Sequence, residues 1–102
     1  MELITEKNFE EKTKSGVVLV DFFATWCGPC RMMGPILENV QAELGDSVKI
    51  YKVDVDENEN LARSFGIMSI PTLYIFVDGQ IKEKHIGLWM FDDVVATIKK
   101  YL

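Results

Sequence analysis

Apolar residues follow this chain in a pattern that changes between a strand period and a helix period. Segment 17–23, VVLVDFF, is almost continuously apolar, which is typical of a central strand buried on both faces. After it, apolar side chains recur at helical spacing at Met33, Ile36, Leu37, Val40 and Leu44. Gly45 follows at the place where a helix commonly ends.

The rest of the chain continues this alternation of strands and helices. Further strands are predicted at 3–4, 48–55, 72–77 and 80–86, and further helices at about 6–14, 58–65 and 91–101. Thr5 is the expected cap of the first helix, and Asp78–Gly79 is a strong hairpin signal. Together they predict an α/β fold with a mixed sheet of about five strands and helices on both faces.

Length and charge restrict the function classes. A chain of 102 residues with 48% hydrophobic residues predicts one domain over 1–102 that folds without staples. The net charge of -5 argues against nucleic acid or an anionic membrane as the main partner. The acidic N-terminus has no long apolar run, so the cytoplasm is the expected compartment, although a processed precursor would look the same.

The only two cysteines lie three positions apart, in the stretch ATWCGPCRMM at 24–33. They sit where the buried strand turns into a helix, and residues at i and i+3 of a first turn are close enough to form a disulfide. Cys27 at the helix N-terminus is expected to have a lowered pKa and to act as the nucleophile. Cys30, one turn in and more shielded, is the expected resolving thiol. Gly28 leaves the nucleophile uncrowded, and Pro29 fits near the helix start.

Two other uses of the cysteine pair are alternatives, and the sequence disfavours both. Zinc would usually need four protein ligands, and beyond the two cysteines the chain offers one histidine, His85, far along the sequence. A purely structural disulfide would close a very small loop and constrain the unfolded chain little. We therefore predict no metal and no bound cofactor.

Two blocks of sequence resemble the thioredoxin family. VDFFATWCGPCRMMGPIL matches its active-site block and GIMSIPTLYIFVDG matches its downstream proline loop, and the order of strands and helices matches over essentially the whole chain. The resemblance implies a protein-disulfide reductase. Its partners would be disulfide-containing target proteins and a separate thioredoxin reductase as electron donor, and it would act as a monomer.

The resemblance adds two residues to the chemistry. From the apolar run alone, Asp21 is either a desolvated carboxylate with a raised pKa or a strand-end residue that reaches solvent or a backbone N–H. The family match implies that it accepts the proton of Cys30. Lys52 matches a lysine close to that aspartate, and it shares a strand face with Val48 and Ile50. The alternative is a side chain that extends past the sheet edge to water.

The resemblance also implies a target-binding surface. It consists of Trp26, Gly28, Pro29, Ile70, Pro71, Gly87 and Leu88. Pro71 would follow a cis peptide bond and present the Ile70 backbone to an extended partner peptide. Core packing for Trp26 and a simple strand-end role for Gly87 are the alternatives.

Several residues depart from the family pattern. Met68 stands where a basic residue is common, and Trp89 and Met90 follow Gly87 and Leu88; these three either form an apolar rim beside the cysteines or fold back onto the core. His85 is expected on the exposed face of an edge strand. Met32 and Met33 are interpreted as helix packing.

Two other functions remain as alternatives to a reductase. A disulfide oxidase or isomerase of the same fold is disfavoured because Gly–Pro between the cysteines resembles the reducing members, whereas oxidising relatives often carry histidine there. A non-catalytic docking subunit would use the fold without the thiols.

Overall fold

The structure is a computed structural model that describes residues 1–102. Its strands are β1 (Glu2–Leu3), β2 (Val17–Phe23), β3 (Lys49–Asp54), β4 (Thr72–Val77) and β5 (Gln80–Ile86). Its helices are α1 (Phe9–Thr13), α2 (Gly28–Leu44), α3 (Glu59–Ser64) and α4 (Phe91–Lys99), with one 3₁₀ turn at Gly45–Ser47. None of the helices combines the length and the apolar character that a membrane crossing requires.

The strands form one mixed sheet in the order β1-β3-β2-β4-β5. β1, β3 and β2 are mutually parallel, whereas β4 runs antiparallel to both β2 and β5. The predicted α/β fold with a mixed sheet of five strands is therefore confirmed.

Alternate residues of each strand supply the two faces of the sheet. Leu19, Ile50 and Ile75 pack with α2 and α4 in one core cluster, while Val20, Phe22 and Tyr74 pack with Phe9 of α1 in the other. Both faces of β2 are covered by helices, which explains its nearly continuous apolar sequence. Asp21 is the one charged residue within this strand, and its position places it on the α2 face.

Local sequence signals set most element boundaries correctly. β2, β4 and β5 have the predicted limits, and Gly45 and Gly66 follow α2 and α3 with positive φ values of 55° and 63°. The predicted start of the first helix is wrong, because Thr5 and Asn8 bond to each other and hold residues 6–8 as a turn. α1 begins only at Phe9, and no side chain caps it.

The two edges of the sheet are short or irregular. β1 has only two residues. On the opposite edge, Glu83 pairs with Ile75 and Ile81 pairs with Phe76, so Lys82 between them forms a bulge with no partner residue. Lys82 and Lys84 are exposed along this edge.

Candidate active site

Cys27 and Cys30 lie at the junction between β2 and α2. Cys27 is the N-cap of α2, with extended backbone angles (φ -89°, ψ 117°), and Cys30 lies in the first turn. The two cysteines form a disulfide with a Cα–Cα distance of 5.2 Å. The predicted pairing at the helix start is confirmed.

The contacts of the two sulfur atoms differ, although the two residues are almost equally buried. The Cys30 N–H donates a hydrogen bond of 3.2 Å to the Cys27 Sγ, which also lies 3.7 Å from the Ile70 carbonyl oxygen. The exposed fractions are 5% for Cys27 and 4% for Cys30, so as a residue Cys30 is only marginally more shielded than Cys27. Both cysteines are buried because they pack with Phe23 and Ala24 in a small apolar cluster, which Val55 and Ile70 extend.

Asp21 is a buried acid on the β2 face that leads to this cluster. It is fully buried, and neither carboxyl oxygen has a hydrogen-bond partner. Burial raises its pKa to about 7, against the smaller opposing effect of the positive charge of Lys52. The predicted rise in pKa is confirmed, and the alternative of a carboxylate that reaches solvent or a backbone N–H is excluded.

Lys52 occupies the neighbouring position on β3. It is the register partner of Asp21 in the parallel β2–β3 pair, so both side chains leave the same face of the sheet. Its Nζ lies 4.1 Å from the centroid of the Phe23 ring, and the side chain is half-buried. The ammonium group is thus held over an aromatic ring, on the same face of the sheet as the carboxyl group of Asp21.

The segment before β4 meets the disulfide from the other side. The Ile70–Pro71 peptide bond is cis, as the resemblance implied. The Gly87 N–H donates a hydrogen bond of 2.8 Å to the Pro71 carbonyl oxygen. Ile70, Pro71 and Gly87 are therefore brought together beside Cys27, with Leu88 half-buried next in the chain.

Trp26 stands exposed immediately before the disulfide. The residue is 67% exposed, and its side-chain Nε1–H donates a hydrogen bond of 2.8 Å to Asp56 Oδ2. Core packing of Trp26 is therefore excluded. Gly28 and Pro29, the first two residues of α2, are exposed as well.

Asp56 was not predicted from the sequence. It lies just after β3, and because β2 and β3 are parallel, the residues after both strands meet at the same edge of the sheet. The acidic segment DVDENEN at 54–60 after the strand was the available signal.

The departures from the family pattern divide between surface and core. Met68 and Met90 are 96% and 56% exposed, whereas Trp89 packs into the α2–α4 core. Met33 is buried as predicted, but Met32 is exposed, so its interpretation as helix packing is wrong.

The prediction for His85 is also wrong. His85 pairs with Leu73 on the face of the sheet that packs against α2 and α4, where it is half-buried and its ring stacks on Trp89. The structure contains no group of three or more His, Cys, Asp or Glu residues arranged to hold a metal ion.

Comparison with known proteins is consistent across sequence and structure. The family model described as Thioredoxin matches residues 1–100. The thioredoxin of Listeria monocytogenes is 52% identical over 99 residues, covering 97% of this chain and 96% of that protein. The thioredoxin of Bacillus subtilis is 45% identical over 98 residues, covering 96% and 94%. A crystal structure of chloroplastic thioredoxin z superposes with a TM-score of 0.92 at 30% identity, covering 99% of this chain and 93% of that one.

Proposed function

Because the chain belongs to the thioredoxin family and is a protein-disulfide oxidoreductase, we propose that it reduces target disulfides with Cys27 as nucleophile and Cys30 as resolving thiol. The observation that carries this assignment is the hydrogen bond from the Cys30 N–H to the Cys27 Sγ at the start of α2. Once the disulfide is reduced, this N–H and the positive end of the helix stabilise negative charge on Cys27.

The reaction is a two-electron exchange in two steps. The Cys27 thiolate attacks one sulfur of the target disulfide, and the other target sulfur leaves as a thiolate that takes up a proton. The Cys30 thiolate then attacks Cys27 Sγ, which forms the Cys27–Cys30 disulfide and releases the second target thiolate. The target gains two electrons, and the two active-site thiols lose them.

Asp21 is proposed as the acceptor of the Cys30 proton in the second step. A pKa of about 7 leaves the carboxyl group able to exchange a proton near neutral pH. Asp21 and Phe23 share one face of β2, and Phe23 packs against both cysteines. Asp21 therefore lies on the face that leads to Cys30, and a water molecule is proposed to relay the proton between them. Lys52 stabilises the ionised form of Asp21 electrostatically.

The target-binding surface is proposed to surround Cys27. It consists of Trp26, Gly28, Pro29, Ile70, Pro71, Gly87 and Leu88. The Ile70 backbone beside Cys27 Sγ would pair with an extended segment of the target, and Trp26, fixed by Asp56, would cover one side of that segment.

The partners follow from the family in general terms: disulfide-containing target proteins and a reductase that returns the disulfide to the dithiol. We propose that residues 1–102 act as one domain and as a monomer in the cytoplasm, with a thioredoxin reductase as electron donor and no bound cofactor. The negative charge of -5 supports proteins, and not nucleic acid or a membrane, as partners.

Two measurements test this function. The first is the equilibrium of the Cys27–Cys30 pair against a dithiol buffer series. A potential near -270 mV, the general value for thioredoxins, supports a reductase, whereas about -180 mV indicates an oxidase or isomerase.

The second measurement uses two serine variants. Cys30→Ser is expected to accumulate a mixed disulfide between Cys27 and the target, because the second step is blocked. Cys27→Ser is expected to abolish the reduction of target disulfides. Reduction of target disulfides by Cys27→Ser at the parent rate would overturn the proposal, and a parent protein that reduces no target disulfide would indicate a non-catalytic docking subunit.

A further inference from the structure

His85 and Trp89 form a stacked pair at the end of β5. The ring centroids are 4.6 Å apart and the planes differ by 8°. Trp89 is only 7% exposed and belongs to the α2–α4 core, so it offers a fixed surface to the histidine ring. His85 is the only histidine of the chain.

The same histidine ring bonds to the segment that connects the pair. His85 Nε2 lies 3.0 Å from the Leu88 carbonyl oxygen. A carbonyl oxygen can only accept, so Nε2 carries a proton and donates it. One ring therefore holds both the indole of Trp89 and the backbone of Leu88.

This contact completes the attachment of segment 87–90, which we call the Gly87 loop. The Gly87 N–H bonds to the Pro71 carbonyl oxygen, and the Trp89 N–H lies 3.2 Å from Met33 Sδ on α2. At the far end, the Met90 carbonyl oxygen accepts from the Val94 N–H in α4. Between Gly87 and Trp89, Leu88 is held through its own backbone only by His85.

We propose that His85 is a positioning residue for target binding, which fixes the Leu88 backbone in the Gly87 loop and so sets the KM for protein disulfides. This inference rests on the proposed function, because it takes Gly87 and Leu88 as part of the target-binding surface. His85 touches neither cysteine and has no part in the thiol exchange.

The test compares a protein disulfide with a small disulfide. Insulin serves as the protein substrate with dithiothreitol as electron donor, and hydroxyethyl disulfide serves as the small substrate. His85→Ala is expected to raise the KM for insulin roughly two- to tenfold, the effect of one hydrogen bond. Its kcat and its rate with hydroxyethyl disulfide are expected to stay at the parent values.

Two further variants separate the hydrogen bond from the ring stack. His85→Gln keeps a side-chain donor and is expected to restore most of the parent KM. His85→Phe keeps a ring on Trp89 but has no donor, and its KM is expected to match that of His85→Ala. Lys84→Ala is the matched control, since it removes the adjacent side chain on the opposite face of the same strand.

The outcomes distinguish this inference from the function on which it rests. If the parent protein reduces insulin but His85→Ala or His85→Phe has the parent KM, the positioning role is overturned. An equal loss with both substrates, or a KM in His85→Gln as high as in His85→Phe, also overturns it. If the parent protein reduces neither substrate, the proposed function itself fails.

Discussion

Asp21 and Lys52 are register partners on neighbouring parallel strands, yet the carboxyl group of Asp21 has no hydrogen-bond partner among the protein's own groups. The lysine nitrogen instead lies over the Phe23 ring. Its charge acts on Asp21 at a distance, and burial dominates the balance and raises the pKa of the acid. An acid in this environment is unfavourable for stability when ionised, which supports the proton-transfer role proposed for it.

Stability is expected to fall with rising pH because of this one residue. The pKa of Asp21 is about 7 in the folded protein and near 3.8 when unfolded, so the unfolded chain releases the proton first. The free energy of unfolding therefore decreases from about pH 4 to about pH 7. Relative to the parent, Asp21→Asn is expected to gain on the order of 4 kcal/mol between about pH 4 and pH 8.

Urea unfolding of the oxidised proteins across this range measures the difference. Asp46→Asn removes one exposed carboxyl group and serves as the control. Parallel pH profiles for the parent and Asp21→Asn would show that Asp21 does not carry a raised pKa.

Asp21→Asn is also expected to slow the second chemical step. Without a proton acceptor, the attack of Cys30 on the mixed disulfide should slow by about 100-fold near neutral pH. Formation of the mixed disulfide by Cys27 should be unaffected, and the deficit should shrink in alkali, where hydroxide deprotonates the thiol. Quenched single-turnover kinetics resolves the two steps, and unchanged kinetics would remove this role from Asp21.

Lys52→Met is expected to raise the pKa of Asp21 further, because it removes the positive charge that favours the ionised carboxylate. The carboxyl carbon of Asp21, followed by NMR during a pH titration, reports the change directly. Lys49→Met, which removes an exposed lysine on the same strand, is the control. A titration of Asp21 that does not move in Lys52→Met would refute the electrostatic pairing.

Met68→Lys is expected to change the choice of electron donor and not the fold. The residue is 96% exposed, so its substitution should alter the free energy of unfolding by less than about 0.5 kcal/mol. A new positive charge two residues before Ile70 should change the rates with different donor reductases unequally. Met68→Gln separates charge from polarity, and identical rates with every donor would reject a role of this residue in partner choice.

The sequence predicted the parts of the site that depend on short-range patterns. The apolar run 17–23 and the Asp78–Gly79 turn each determine a boundary locally, and the cysteine spacing places both thiols in one helical turn. The raised pKa of Asp21 was predictable because a carboxylate within a strand buried on both faces is shielded from bulk solvent.

Contacts between distant segments were not predictable in the same way. Asp56 meets Trp26 only because two parallel strands end at one edge, and His85 reaches Trp89 because the bulge at Lys82 offsets the alternation of β5. The start of α1 is shifted because the hydrogen bond between Thr5 and Asn8 competes with helix formation, an effect that helix propensity does not describe. The nearly equal burial of Cys27 and Cys30 arises because both pack with Phe23, and their positions in the first helical turn do not predict this contact.

The irregular edge of β5 affects the tendency of this protein to aggregate at high concentration. An unpaired strand edge is a template on which another chain can add, and flat edges promote fibrous aggregation. The bulge at Lys82, with the exposed charges of Lys82 and Lys84, interrupts that template, and the two-residue β1 offers almost none on the other side. We therefore expect the molecule to stay dispersed at high concentration.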